Sequence, residues 1–326
     1  MADCFKLVPG DPRVTTSTST VGGKSYSYVR AMPTSEPAQT IFLLHGFLDL
    51  SFGWRYQIPY FVSMGYQVVA LDLLGCGGSD KPDNLRNYTF KSVANDIKAL
   101  AKSLVGEKRI ILGGHGLGGA IVWRTAMWHP DLVLGIFSIS APFIPPFTAF
   151  LTPDDPVLEF GPRPLTVQND SGKVHRWEGV ELCGKISTTC GFRLLFRHLA
   201  KHRHSGTISR REYLVYARQY LSQGKSGVEA ALNWFHFRTR AYNQDEELGF
   251  SRKPISFTMP ALYISATQGS KVTVDMIQGM SRYFEALQCR AISGSHWCIW
   301  EAGIDVNKQV GDWIASLSEP SGQLHE

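Results

Sequence analysis

The chain has 326 residues, of which 44% are hydrophobic and 19% charged, a balance typical of a globular protein with a large core. Its net charge of +5 is a mild excess without a basic block, which argues against nucleic acid as a partner. The longest uncharged stretch, Leu132 to Pro153, is interrupted by Pro142, Pro145 and Pro146, so we expect no membrane span.

The start of the chain and its cysteines predict a compartment. Met1 to Lys6 shows no charged region followed by an apolar segment, which predicts a cytoplasmic protein. The six cysteines form no C-x-x-C pair, so we expect free thiols and no zinc site. The spacing of His198, His202 and His204 could hold zinc, but basic residues lie between them and favour a solvated surface. Because the glycine-rich segments have neither dinucleotide-binding nor P-loop spacing, we predict no cofactor.

Five short apolar runs, separated by helical patterns, predict the buried strands of a parallel sheet. The runs are Thr40–Leu44, Gln67–Asp72, Arg109–Leu112, Gly135–Ser140 and Ala261–Ser265. This pattern indicates an α/β class of fold.

The alternation stops between residues 145 and 254. Arg193–Leu199 and Arg210–Leu221 have helical patterns there, and no strong strand is visible. An insertion at this point would lie over the carboxyl ends of the strands, where open α/β sheets bind ligands. We therefore predict a core of residues 1–144 and 255–326, with residues 145–254 forming a helical lid.

The third run leads into Gly114-His115-Gly116-Leu117-Gly118, which opens a predicted helix. This is the spacing of a nucleophile elbow, a tight turn that raises the side chain of its central residue into an active site. Two other segments stand in the order that such a site needs. His45-Gly46-Phe47 follows the first run, where a backbone N–H could donate to an oxyanion, and Ser295-His296-Trp297 comes late, where a catalytic histidine belongs.

These segments closely resemble soluble epoxide hydrolases of the α/β-hydrolase superfamily. The similarity runs from about Gly22 to Leu317 and includes Ser51 to Pro59, Gly77 to Pro82 and Leu112 to Arg124. The resemblance implies a mostly parallel sheet flanked by helices, with an inserted helical lid. It also implies an elbow aspartate that attacks the epoxide, a relay acid for the histidine, and a lid tyrosine that binds the epoxide oxygen.

The sequence departs from that family where its chemistry is carried out. Gly116 stands at the nucleophile position and Gly269 at the relay-acid position, Phe235 replaces the lid tyrosine, and Leu48 replaces a proline of the oxyanion segment. Since glycine has no side-chain oxygen, an ester at Gly116 cannot form. We therefore expect ordinary two-step epoxide hydrolysis to be lost.

What remains of the implied site is a histidine and main-chain donors. The resemblance assigns His296 as the catalytic residue and the N–H groups of Phe47 and Leu117 as the oxyanion hole. Asp275 or Glu301 could substitute for the missing acid. The residues that we expect to line a pocket are His45, Leu48, His115, Trp234, Phe235 and Trp297.

Other polar residues have simpler interpretations. Ser138, Ser140 and Cys298 could be replacement nucleophiles, but buried polar residues at strand ends are usually just hydrogen-bonded. Tyr213, Tyr216 and Tyr220 recur at helical spacing, which favours an amphipathic core stripe over a hydroxyl in the pocket.

Three functional hypotheses follow. The first is a repurposed biosynthetic enzyme, a cyclase, isomerase or dehydratase that acts on a hydrophobic small molecule with His296 and the oxyanion-hole amides. The second is a non-catalytic pseudo-hydrolase that binds a small molecule. The third is a residual epoxide hydrolase in which His296 activates water. A homodimer is compatible with each of them.

Overall fold

The computed structural model describes residues 6–146, 165–168, 174–177, 208–221, 225–251, 254–268 and 272–317. Its strands are β1 Thr15–Val21, β2 Lys24–Ala31, β3 Thr40–Leu44, β4 Gln67–Leu71, β5 Ile110–His115, β6 Val133–Ile139, β7 Leu165–Gln168, β8 Val174–Trp177, β9 Ala261–Ala266 and β10 Leu287–Ile292. Its α-helices are α1 Gln57–Ser63, α2 Phe90–Val105, α3 Leu117–Trp128, α4 Arg210–Leu221, α5 Lys225–Leu232, α6 Phe237–Ser251, α7 Val274–Met280, α8 Cys298–Glu301 and α9 Gly303–Ser316.

Eight strands form one sheet in the order β1-β2-β4-β3-β5-β6-β9-β10. The pairs β1–β2 and β2–β4 are antiparallel, and every other neighbouring pair is parallel. The five predicted runs correspond to the consecutive strands β4, β3, β5, β6 and β9 in the middle of the sheet. The predicted mostly parallel α/β fold is thus confirmed.

Both faces of the sheet are covered by helices. Along β3, Ile41 and Leu43 belong to one buried cluster, to which α1 and α9 contribute, whereas Phe42 and Leu44 belong to a second cluster with α2 and α3. A strand buried on both faces needs apolar side chains at successive positions. This is why the central strands appear in the sequence as short, nearly continuous apolar runs.

The insertion between β6 and β9 departs in one respect from the prediction that it lacks a strong strand. Leu165–Gln168 and Val174–Trp177 pair as an antiparallel hairpin, β7–β8. β7 alternates apolar and polar residues, and the sequence between the strands, Asn169 to Lys173, is rich in turn-forming residues. The predicted helix Arg210–Leu221 is confirmed as α4, whereas the predicted helix Arg193–Leu199 lies outside the described residues.

Two buried carboxylates of the insertion form ion pairs with basic side chains outside it. Nε of Arg55 lies 3.0 Å from Oε1 of Glu212 on α4, and Nζ of Lys6 lies 2.9 Å from the same oxygen. On α3, Nε and Nη2 of Arg124 donate to the two carboxylate oxygens of Glu247 on α6, at 2.7 and 3.0 Å. Helices α4 and α6 are therefore each docked by a charged pair. No helix in the described ranges is long and apolar enough to cross a membrane.

Candidate functional site

The turn between β5 and α3 is built around Gly116, whose φ of 52° and ψ of −116° lie in a region that favours glycine. The N–H of Gly116 donates to the carbonyl oxygen of Ile139 at the end of β6, at 3.0 Å. The N–H of Gly118 donates to the carbonyl oxygen of His45, which follows β3, at 3.1 Å. The turn is thus tied to both strands that flank β5, at the carboxyl edge of the sheet.

The imidazole of His296 lies directly against Gly116. A Cβ atom added at Gly116 would be 3.0 Å from Nε2 and 3.0 Å from Cε1 of His296, and 3.7 Å from Cα of Gly46. The ring of His296 is exposed, and its centroid is 4.7 Å from that of the His115 ring. The fold therefore brings the predicted base, the turn at Gly116 and the loop after β3 into one neighbourhood.

His115 is a buried, neutral histidine. Its Nε2 lies 2.6 Å from the carbonyl oxygen of His296. Because a carbonyl only accepts, Nε2 carries the proton and donates it. Burial holds the pKa of His115 well below its usual value, and the nearby His296 contributes to this shift. Its other nitrogen, Nδ1, is buried and has no hydrogen-bond partner among the described residues.

His45 supports the main chain with both of its ring nitrogens. The N–H of Leu73 donates to Nε2 at 3.0 Å, so Nδ1 carries the proton and donates to the carbonyl oxygen of Gly46 at 2.7 Å. Burial lowers the pKa of His45, against the opposing effect of the Asp72 carboxylate. His45 therefore joins the loops after β3 and β4. Both of its ring nitrogens are occupied by main-chain groups.

The loop after β3 carries the predicted oxyanion donor Phe47 and an unusual leucine. Leu48 is 6% exposed and has a φ of 60°. A proline ring fixes φ near −65°, so proline could not occupy this conformation. Within the described part of the chain, the N–H groups of Phe47 and Leu117 donate to no other backbone group.

Residues of the insertion hold this loop from the other side. The rings of Phe47 and Phe235 meet edge to face with centroids 4.8 Å apart. The hydroxyl of Tyr216 donates to Oδ1 of Asp49 at 2.9 Å, and that of Tyr220 donates to the carbonyl oxygen of Asp49 at 2.8 Å. Tyr216 and Tyr220 of α4 are therefore buried and their hydroxyls fix the loop, whereas Tyr213 is half-buried.

Comparison with known proteins agrees with this arrangement of strands. The profile of the alpha/beta hydrolase fold family matches residues 39–303. The chain belongs to the α/β-hydrolase family.

Relatives of this α/β-hydrolase include epoxide hydrolases. Epoxide hydrolase srdG of Neurospora crassa is 28% identical over 340 aligned positions, which cover 94% of this chain and 97% of that protein. Epoxide hydrolase A of Mycobacterium tuberculosis is 35% identical over 118 residues, 36% of each chain. The structure of a Vigna radiata epoxide hydrolase mutant superimposes with a TM-score of 0.76 at 19% identity, over 93% of this chain and 99% of that one. The protein is thus an epoxide-hydrolase-like α/β-hydrolase, as the sequence resemblance predicts.

The two tryptophans expected to line a pocket differ in their surroundings. Trp234 is 5% exposed, its indole N–H donates to the carbonyl oxygen of Leu74 at 2.8 Å, and the ring of Tyr88 packs against it. Trp297 is half-buried and lies 4.7 Å from the ring of Trp300. Trp234 has the contacts of a core residue, whereas Trp297 stays beside the pair of histidines.

The candidate replacement nucleophiles are engaged in local contacts. The hydroxyl of Ser138 donates to the carbonyl oxygen of Ala141 at 2.6 Å. Oγ of Ser140 lies 3.8 Å from Sγ of Cys298, and burial raises the pKa of that thiol to about 11. Such a thiol is almost entirely protonated near neutral pH and is a poor nucleophile.

Of the two candidate substitute acids, Asp275 is exposed in the first turn of α7. Glu301 instead turns back to the segment that carries His296. Its carboxylate oxygens accept hydrogen bonds from the N–H and the hydroxyl of Ser295, each at 2.8 Å. The predicted relay-acid position, Gly269, lies outside the described residues.

Metal ligation has no basis in the described residues, among which no group of three or more His, Cys, Asp or Glu side chains could hold a metal ion. His198, His202 and His204 are not among them. Cys76, Cys289 and Cys298 are free thiols.

Proposed function

We propose that this α/β-hydrolase is a repurposed biosynthetic enzyme that moves protons on a hydrophobic small molecule, as an isomerase, dehydratase or cyclase. The observation that carries the proposal is the contact between His296 and Gly116, 3.0 Å from Nε2 to the place of a Cβ. A histidine in this position can reach a substrate over the turn, while Gly116 supplies no oxygen that could form an ester.

His296 would act as base and then as acid. An imidazole can accept and return a proton near neutral pH. When Nε2 removes a proton from the carbon beside a carbonyl, the C–H electrons become a carbon–carbon double bond and the carbonyl oxygen becomes an enolate oxyanion. The imidazolium then returns the proton to another carbon in an isomerisation, or to a departing hydroxyl in a dehydration that releases water. In a cyclisation, the enolate carbon attacks a second carbonyl carbon of the same molecule, the π electrons of that C=O bond move to its oxygen, and the imidazolium protonates the resulting alkoxide.

The amides of Phe47 and Leu117 would bind that oxyanion. Their N–H groups donate to no described backbone acceptor. Phe47 lies in the loop after β3, which is held by the hydrogen bonds of Asp49 to Tyr216 and Tyr220. Pre-organised main-chain donors of this kind stabilise a developing oxyanion by about 3 kcal/mol each. They do not depend on the side chain at Gly116.

The aromatic side chains around this point favour an apolar substrate. Phe235 packs on Phe47 and has no hydroxyl with which to activate an epoxide oxygen. Trp297 is half-buried beside the histidines. A site with aromatic walls, neutral glycine at the turn and main-chain donors suits a hydrophobic carbonyl compound better than a small polar epoxide.

The test measures two reactions with the same protein. A panel of aryl and alkyl epoxides is incubated in ¹⁸O-labelled water and analysed for diols, and a panel of aryl and alkyl ketones in D₂O is analysed for deuterium beside the carbonyl. We expect deuterium exchange without diol formation, and a loss of about 100-fold or more in His296→Ala, as for removal of a general base. His236→Ala, a change in a histidine of the insertion, is the matched control.

The other outcomes distinguish the alternatives. A labelled diol that disappears in His296→Ala would mean that His296 activates water and that hydrolysis persists. Tight binding of a ketone with no exchange, unaffected by His296→Ala, would identify a binding protein instead of an enzyme.

A further inference from the structure

We propose that Glu301 and His115 are positioning residues that hold His296 against Gly116 through its main chain. The inference deepens the proposed function, because it assumes that the imidazole of His296 is the working group. It concerns the segment Ser295-His296-Trp297, which we call the histidine segment.

Glu301 binds the histidine segment through Ser295. Its Oε2 accepts from the N–H of Ser295 and its Oε1 accepts from the hydroxyl of Ser295, both at 2.8 Å. Bonds to an ionised carboxylate are stronger than bonds between neutral groups. The same hydroxyl accepts from the N–H of Trp297 at 3.2 Å, and the N–H of Cys298 donates to the carbonyl oxygen of Ser295 at 3.0 Å. Both neighbours of His296 in the chain are therefore fixed by one carboxylate and one hydroxyl.

His115 binds the histidine segment through the carbonyl oxygen of His296. Its Nε2–H donates to the carbonyl oxygen of His296 at 2.6 Å, and its side chain is fully buried. Because His115 immediately precedes Gly116 at the end of β5, this bond ties the main chain of His296 to the turn itself. The two residues are 181 positions apart in the sequence.

These contacts hold the main chain on both sides of the His296 side chain. Ser295 is held by Glu301 of α8, the carbonyl oxygen of His296 is held by His115 of β5, and the ring lies 3.0 Å from the site of a Cβ at Gly116. Holding a reacting group by supporting hydrogen bonds on rigid elements is a general requirement of catalytic sites.

The experiment reads the His296 ring directly, without any substrate. Two signals are measured: the rate at which diethyl pyrocarbonate modifies His296, from the mass of its peptide, and the ¹H–¹⁵N spectrum of its imidazole. Glu301→Gln is compared with Glu285→Gln, an exposed glutamate. His115→Leu, which removes the donor, is compared with His115→Gln, whose amide N–H can replace Nε2–H.

We expect Glu301→Gln and His115→Leu to change the modification rate by about threefold to tenfold, the range that corresponds to losing one hydrogen bond, and to shift or split the imidazole signals. Glu285→Gln and His115→Gln should leave both signals close to those of the wild type. Where Glu301→Gln fails to fold, Ser295→Ala removes the hydroxyl alone and should produce the same change.

Wild-type rates and spectra in both Glu301→Gln and His115→Leu would overturn the inference, whether or not the protein turns over any ketone. If the ring responds as expected but no exchange occurs with any ketone, the positioning roles stand and the proposed reaction falls. The two proposals can therefore fail separately.

Discussion

Two residues at the carboxyl edge of the sheet share a positive φ, and they are stabilised in different ways. Gly116 follows β5 with a φ of 52°, and Leu48 lies in the loop after β3 with a φ of 60°. Glycine adopts this conformation at little cost, whereas leucine is strained by about 1–3 kcal/mol. The loop keeps its strained leucine because Leu48 is buried and the neighbouring Asp49 is held by two tyrosines. Contacts with the insertion thus stabilise the positive φ of Leu48, whereas the missing side chain of Gly116 allows a positive φ without such contacts.

The largest effect is expected at Leu48. Leu48→Ala should lower the free energy of unfolding by about 2–5 kcal/mol, because it leaves a cavity in the core. Leu48→Pro should cost a further 1–3 kcal/mol or so, since the proline ring excludes a φ of 60°. Denaturant unfolding of the two variants measures the difference. Equal stabilities would show that the loop is free to change its backbone.

At the turn, Gly116→Asp should lower the free energy of unfolding by about 1–3 kcal/mol and lower the melting temperature. The new side chain must adopt a φ of 52°, and His296 must shift to admit its Cβ. Gly10→Asp is the matched control, because Gly10 has a φ of 77° with no atom within 4 Å of its added Cβ. Gly116→Asp should therefore cost more than Gly10→Asp. An unchanged or higher melting temperature would contradict the assignment of this turn as an elbow.

Tyr216→Phe tests the support of the loop. It removes a hydrogen bond to the buried carboxylate of Asp49, at an expected cost of about 1–2 kcal/mol. Amide hydrogen exchange should accelerate in residues 46–50 beyond the change in global stability. Tyr242→Phe, on the other docked helix of the insertion, should leave the exchange of this loop as in the wild type. If both variants behave alike, the contact with Asp49 does not hold the loop.

The buried histidines give a smaller, graded effect of pH. Burial lowers the pKa of His115 and of His45 in the folded protein, whereas an unfolded histidine takes up a proton near pH 6.5. The unfolded state therefore binds more protons as the pH falls below about 6.5, and stability decreases in that direction. His115→Gln should reduce this slope by about 1 kcal/mol per pH unit, measured by urea unfolding between pH 5 and 7. His236→Gln is the control, and a slope unchanged in His115→Gln would refute a neutral buried His115.

The central fold could be predicted from sequence because five strands are buried on both faces and therefore appear as apolar runs. β1 could not, since Thr15–Val21 is a polar strand at the edge of the sheet with an exposed side. The β7–β8 hairpin leaves a weak signal, because each strand has only four residues and only β7 alternates apolar and polar residues.

The turn at Gly116 and the segment around His296 could be predicted, because the spacing of glycines in the sequence indicates a tight backbone turn. The contacts of those residues could not, because they join positions far apart in the chain. Asp49 was missed altogether. Its signal was a single carboxylate between Leu48 and Leu50 in an otherwise apolar run, which points to a buried and therefore hydrogen-bonded acid.

The ion pairs that hold α4 and α6 against the core also limit the routes by which a ligand can reach His296. The charged groups of Arg55 and Glu212 are 0% and 2% exposed, and those of Arg124 and Glu247 are 9% and 7% exposed. Separating either pair inside the protein leaves an uncompensated buried charge, which costs about 3–5 kcal/mol. We therefore expect the amide hydrogens of α4 and α6 to exchange with solvent almost as slowly as those of the central sheet. A ligand is therefore expected to enter and leave the site around His296 without separating either helix from the core.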